Sequence, residues 1–170
     1  MDNNKKQIRL YNIIFPIWLL IVFPQTWIIA IPFNFIIDFL VIYFVSKRMG
    51  VESYKQFAGK SSLLAWIFGF LSDFVGTGIL FLILMAQNLV DWDWLSSAVN
   101  GTVVNPFQNI ISFMIVLFAV AISGLSIYLL NYYITFRKSS RDIRVRISLA
   151  LAIFTAPYLF FLPMGQFHGM

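Results

Sequence analysis

Residues 61–87 read SSLLAWIFGFLSDFVGTGILFLILMAQ. The stretch is apolar throughout apart from small polar residues and one acid, Asp73. At a rise of about 1.5 Å per residue it forms a helix that crosses a hydrocarbon layer of about 30 Å with length left for tilt. Ala65, Gly69, Ser72 and Gly76 recur at spacings of four, three and four, so one face of that helix admits a close neighbour.

The rest of the chain repeats the pattern. Residues 108–134 carry no charge, and residues 147–164 form a shorter apolar run containing Pro157 and Pro163. Residues 10–46 contain one acid, Asp38, and are too many for one crossing. Their weakest point is Phe23-Pro24-Gln25-Thr26-Trp27, because proline removes a helical donor and tryptophan suits an interface. Two spans at about 8–23 and 27–46, joined by a tight turn, are predicted there. The expectation is one all-α membrane domain over residues 1–170, with five transmembrane helices in a compact bundle. Pro16, Pro24 and Pro32 are expected to kink or break the first two spans. The stripes Ser112, Ala119, Ser123, Ser126 and Ser148, Ala152, Ala156 read as packing faces.

Composition agrees. Hydrophobic residues make up 60% of the chain and charged ones 11%, and mean hydropathy is +0.83. Soluble domains carry about 25% charged residues. A soluble enzyme and a disordered chain are both excluded by this balance. There is no cysteine, and the single histidine is His168 near the C-terminus. Thiolate chemistry and a histidine-rich metal site are therefore out of reach, and no cofactor is expected.

Charge distribution sets the orientation. All 12 Lys and Arg residues fall in segments 1–9, 47–60 and 135–146. The intervening segments 24–26 and 88–107 and the C-terminal tail contain none. The positive-inside rule then predicts a cytoplasmic N-terminus and an external C-terminus, most simply in a bacterial plasma membrane. The run Arg137, Lys138, Arg141, Arg144 and Arg146 suits anionic lipid headgroups as well as topology. Nucleic acid is not an expected partner. Five spans enclose little volume, so a homodimer or a partner membrane subunit is expected.

The informative residues are Asp38 and Asp73. Counted along their spans, they lie at similar depths, about 12 Å and about 18 Å from the basic end. An ionisable residue at such depth marks a functional site by default. Asn34 stands four residues before Asp38; Ser72 adjoins Asp73 and Thr77 follows it by four, so these three are the expected polar company. No Lys or Arg occurs inside any span. The acids must carry protons, share one, hold an external cation or face water.

These states point to a transporter- or channel-like protein handling protons or cations. The alternatives are a non-catalytic subunit or binding module for a partner protein or hydrophobic ligand, and an intramembrane aspartyl hydrolase. For the hydrolase, the Gly-x-Gly-Asp run of intramembrane aspartyl proteases is missing, since Gly69-Phe70-Leu71-Ser72 precedes Asp73.

Two outer features read as structural. Asp91-Trp92-Asp93-Trp94 suits an interfacial segment, and Asn100-Gly101-Thr102 is a glycosylation sequon expected to be unused. The aromatic segment between Pro157 and Pro163 is expected to face lipid. The topology is checked with a reporter that matures only outside the cytoplasm. Fused within residues 88–107 it is active, and fused within residues 135–146 it is silent; the opposite pattern rejects the orientation.

Overall fold

The computed structural model describes residues 24–89 and 93–163, and among these it is entirely helical. The predicted first span, Asp91, Trp92 and His168 lie outside the described residues. Helix α1 runs Pro24–Arg48, α2 Tyr54–Leu89, α3 Asp93–Val104, α4 Ile110–Leu130 and α5 Arg141–Phe154. A π turn, Asn131–Thr135, extends α4, and 3-10 turns occupy Pro106–Gln108 and Tyr158–Phe161. Three helical segments are long and apolar enough to cross a membrane: Tyr54–Ala86, Ile110–Thr135 and Arg141–Phe161.

The boundaries differ from the sequence reading in instructive ways. The expected turn at 24–26 is already helix, because a proline in the first turn has no hydrogen bond to lose. Pro32 sits inside α1 without ending it. The expected basic loop 47–60 shrinks to a short turn, since nothing after Ser53 stops α2 from starting at Tyr54. Gly50 makes that turn with φ +73°, while Gly50 N bonds Lys47 O and Val51 N bonds Ser46 O, each at 3.1 Å. This is the glycine-terminated helix end that a left-handed residue permits. The outer loop 88–107 contains α3 rather than only irregular chain. The fifth span begins as helix at Arg141 and leaves the α-helix after Phe154, ahead of Pro157.

α1 packs on α2 and α5, and α4 packs on the same two helices. The four therefore close a ring, with α3 lying against α4 at one end. Phe57 at the start of α2 stacks on Phe136 after α4, with ring centroids 5.7 Å apart. Arg144 donates from Nε to Tyr132 O at 3.0 Å and lies 4.1 Å from the Tyr132 ring centroid. The helix ends and the turn that carry the described Lys and Arg residues thus share one end of the ring. At the other end Phe107, Phe113 and Phe161 form a cluster.

Large apolar side chains cover the outside: Phe33, Ile36, Leu40 and Phe44 on α1, Leu71 and Phe74 on α2, Met114 and Phe118 on α4. A soluble monomer does not expose apolar surface on every side, whereas hydrocarbon chains solvate it. The interior is small in volume and rich in small residues, as the stripes on α2 and α4 require: Ala65, Ser72, Ser112, Ala119 and Ser123 are all buried.

Gly101 shows how closely these elements approach. A Cβ there would stand 2.9 Å from Ser112 Cβ on α4, and Ser112 Oγ donates to Ala98 O at 2.7 Å. The sequon thus lies within α3, where Thr102 Oγ1 donates to Val99 O at 2.6 Å. Gly101→Ala is expected to destabilise the protein by about 1–3 kcal/mol through overpacking. The neighbouring exposed Asn100→Ala is expected to change little. Unfolding in detergent micelles checks this, and equal stability of the two variants would reject tight docking of α3 on α4.

Candidate carboxyl site inside the bundle

Asp38, midway along α1, is only 4% exposed. It is directed at α2: its Oδ2 lies 3.8 Å from where a Cβ on Gly69 would stand. A Cβ there would be in ordinary contact with the carboxyl. The Thr155 hydroxyl, one residue past the end of α5, stands within hydrogen-bond reach of the same carboxyl.

Asp73 lies one turn beyond Gly69 on α2 and is half-buried. Its Oδ1 is buried without a hydrogen-bond partner among the described residues. The Ser123 hydroxyl on α4 is within reach of its carboxyl. Asp38 thus faces the turn of α2 that precedes Asp73. Four helices of one ring therefore deliver Asp38, Asp73, Ser123 and Thr155 to one region of the interior.

The close approach of α2 and α4 is what places Ser123. A Cβ on Gly76 would stand 3.2 Å from Ser123 Cβ and 3.3 Å from Ala119 O, so a larger residue there would press on α4. Ser123 Oγ donates across the interface to Ser72 O at 2.7 Å. Thr155 Oγ1 donates to Leu151 O at 2.8 Å. Each of these hydroxyls therefore has a backbone carbonyl as its hydrogen-bond acceptor.

Of the residues singled out from sequence, the structure brings together Asp38, Asp73 and Ser72. Ser72 is buried; its Oγ donates to Phe68 O at 2.7 Å and its carbonyl receives Ser123. Asn34 is exposed on α1 rather than turned inward with Asp38, and Thr77 is half-buried one residue past Gly76. Ser123 and Gly69, read as packing positions alone, adjoin the carboxyl groups. Thr155 was not singled out; its signal was the helix-ending Thr155-Ala156-Pro157 at the depth of the acids. In the basic run, Arg144 is half-buried and held by Tyr132, while Arg137, Lys138, Arg141 and Arg146 are exposed. No group of three or more His, Cys, Asp or Glu placed to hold a metal occurs among the described residues.

No family model, curated protein or solved structure matches the chain.

The Ser123 to Ser72 bond is a test of the packing. Interhelical bonds of this kind in membranes contribute about 0.6 kcal/mol on average and about 1.7 at most. Ser123→Ala is expected to lower stability within that range. Ser126→Ala removes a bond only to Ile122 O of its own helix and is expected to cost less. Denaturant unfolding in micelles compares them, and a larger loss for Ser126 would contradict the assignment.

Proposed function

We propose that the chain is a small multi-pass membrane protein that binds and passes protons or small cations at the Asp38–Asp73 site. On this reading α1 is a further span, residues 8–23 another, and the basic end faces the cytoplasm. The observation that carries it is electrostatic. Two carboxyl groups and the C-terminal end of α5 converge inside the bundle, with no Lys or Arg in any of the apolar runs that form it. Two carboxyl groups in one apolar interior require a positive species. The described residues supply none there, so a proton or cation from outside would complete the site.

The chemistry of the donors narrows the species. All of the groups are oxygens: two carboxyls, two hydroxyls and nearby backbone carbonyls. Oxygen donors suit protons and hard cations, whereas transition metals prefer nitrogen and sulfur donors, of which the described residues place none there. Ser72 supports the site by anchoring α4 through its carbonyl. Exposed Arg137, Lys138, Arg141 and Arg146 would meet anionic headgroups at the cytoplasmic surface, and a second copy would complete the pathway.

The decisive experiment is flux into liposomes containing the purified protein, with pH- and sodium-sensitive dyes inside. The intact protein is expected to carry flux, and Asp38→Asn and Asp73→Asn each to reduce it at least about tenfold, since each removes a charge site on the pathway. Unaltered flux in both variants, or no flux from the intact protein over a range of ions and pH, rejects the proposal. The second outcome would leave a partner-dependent membrane subunit as the reading.

A further inference from the structure

A second set of buried polar groups lies nearer the basic end. Ser46 on α1, Ser62 on α2, Asn131 at the end of α4 and Ser148 on α5 are each 0% exposed. Helical register places them together. Each stands one turn toward the basic end from a residue of the packed apolar cluster: Ser46 from Ile42, Ser62 from Ala65, Asn131 from Ile127 and Ser148 from Leu151. Two of them are satisfied by their own helices. Ser46 Oγ donates to Tyr43 O at 3.2 Å and Ser62 Oγ to Ala58 O at 2.6 Å.

The other two are not satisfied. Ser148 Oγ, Asn131 Oδ1 and Thr135 Oγ1 are all buried without a hydrogen-bond partner among the described residues. Asn131 Nδ2 donates to Ile127 O at 2.9 Å, which fixes the amide. The reversed amide would set Oδ1 against that carbonyl and leave Nδ2 unpaired instead. Neighbouring elements supply the three atoms. Asn131 and Thr135 begin and end the π turn, which packs on α5 and on α2. Arg144, one turn before Ser148 on α5, bonds Tyr132 O of that same turn at 3.0 Å. The turn is wide, closing from Phe136 N to Asn131 O at 2.9 Å, and such turns are frequent at functional sites.

We infer that Asn131, Thr135 and Ser148 hold an internal water molecule between the π turn and α5. Buried polar atoms left unpaired are costly, and three in one region call for a small species that pairs them. Their chemistry selects it. Asn131 Oδ1 accepts and has nothing to donate, so it repels an anion. All three oxygens are uncharged and the Arg144 guanidinium is fixed at the same turn, so a cation is disfavoured. Water donates to the amide oxygen and exchanges bonds with both hydroxyls, and a buried water makes about three such bonds. The site is separate from Asp38 and Asp73 and does not rest on their role. Ser46 follows Asp38 by eight residues and Asn131 follows Ser123 by eight. At a rise of about 1.5 Å per residue the two polar levels are about 12 Å apart, with one apolar turn between them.

The test reads water itself. Protein labelled with 13C and 15N is reconstituted into liposomes, and solid-state NMR follows magnetisation passing from water protons to assigned side chains. The Asn131 amide and Ser148 Cβ are expected to receive it at least about threefold faster than Ile127 and Leu151, because only the first two touch the bound water. Ile127 and Leu151 are suitable references, since each is 1% exposed and one turn away. Ser148→Ala removes one of the water's partners and is expected to slow transfer to Asn131 at least about twofold. Ser62→Ala also removes one buried oxygen, but one already paired with Ala58 O, and is expected to leave Asn131 unchanged.

Equal transfer to Asn131, Ser148, Ile127 and Leu151 overturns the inference, because the three oxygens would then be paired by other parts of the chain. Equal slowing of Asn131 by Ser148→Ala and Ser62→Ala also overturns it, because the effect would then belong to the whole level and not to one water. The comparison within the unaltered protein requires no variant and decides by itself where a variant fails to fold. Transport plays no part in the readout. A hydrated Asn131 in a protein without flux leaves the water site standing and removes the transport proposal. Flux lost in Asp73→Asn, with Asn131 as dry as Ile127, does the reverse.

Discussion

Two carboxyl groups held in an apolar interior without a neighbouring cation constrain everything packed around them. Water cannot satisfy them there, so the surrounding backbone and hydroxyl groups must. This explains why the polar residues of four different helices meet in one region. Gly76 lets α2 approach α4 closely, and Ser123 donates there to Ser72 O. The small residues do not drive association by themselves; they set the distance at which the polar contacts become possible.

The same constraint separates the bundle into zones. Toward the basic end, apolar residues one turn from each polar group pack into one cluster, with Ser46, Ser62, Asn131 and Ser148 buried around it. Toward the other end, Val116, Ala119 and Val120 of α4 are buried together with Ala98 and Val99 of α3. Buried serines and small apolar residues thus line both halves of the bundle, and helices that present such faces pack closely.

The long apolar helices of the described region were legible in the sequence because they depend on composition and on runs longer than a helix turn, whereas α3 inside the loop 88–107 was not. Similar depths on sequential antiparallel helices allowed the two acids to be neighbours, and Asp38 faces the turn of α2 that precedes Asp73. Their partners were not legible. Asn34 has the right spacing to share a face with Asp38, yet it is exposed, because periodicity within one helix does not say where a neighbouring helix ends. Ser123 and Gly69 looked like ordinary packing residues, since a small residue beside a carboxyl group and one beside a methyl group have the same local sequence. Thr155 was hidden because the apolar run continues to residue 164 while the α-helix stops ten residues earlier.

That early stop is the most costly feature of the fold. Helices that end within hydrocarbon leave carbonyls without donors, and such ends persist only where protein or an internal cavity covers them. Here the exposed ends are covered one by one. Leu151 O receives both Thr155 N and Thr155 Oγ1, Ile153 O receives the Tyr158 hydroxyl, and Ala156 O receives Tyr158 N. A continuous helix through residue 164 would have met the same needs without special residues. It would also have left no turn to bring Phe160 back to Gly76. The break thus puts Thr155 and the start of the Tyr158–Phe161 turn within four residues of each other, so the hydroxyl that caps Leu151 O and the ring that meets Gly76 follow from the same interruption.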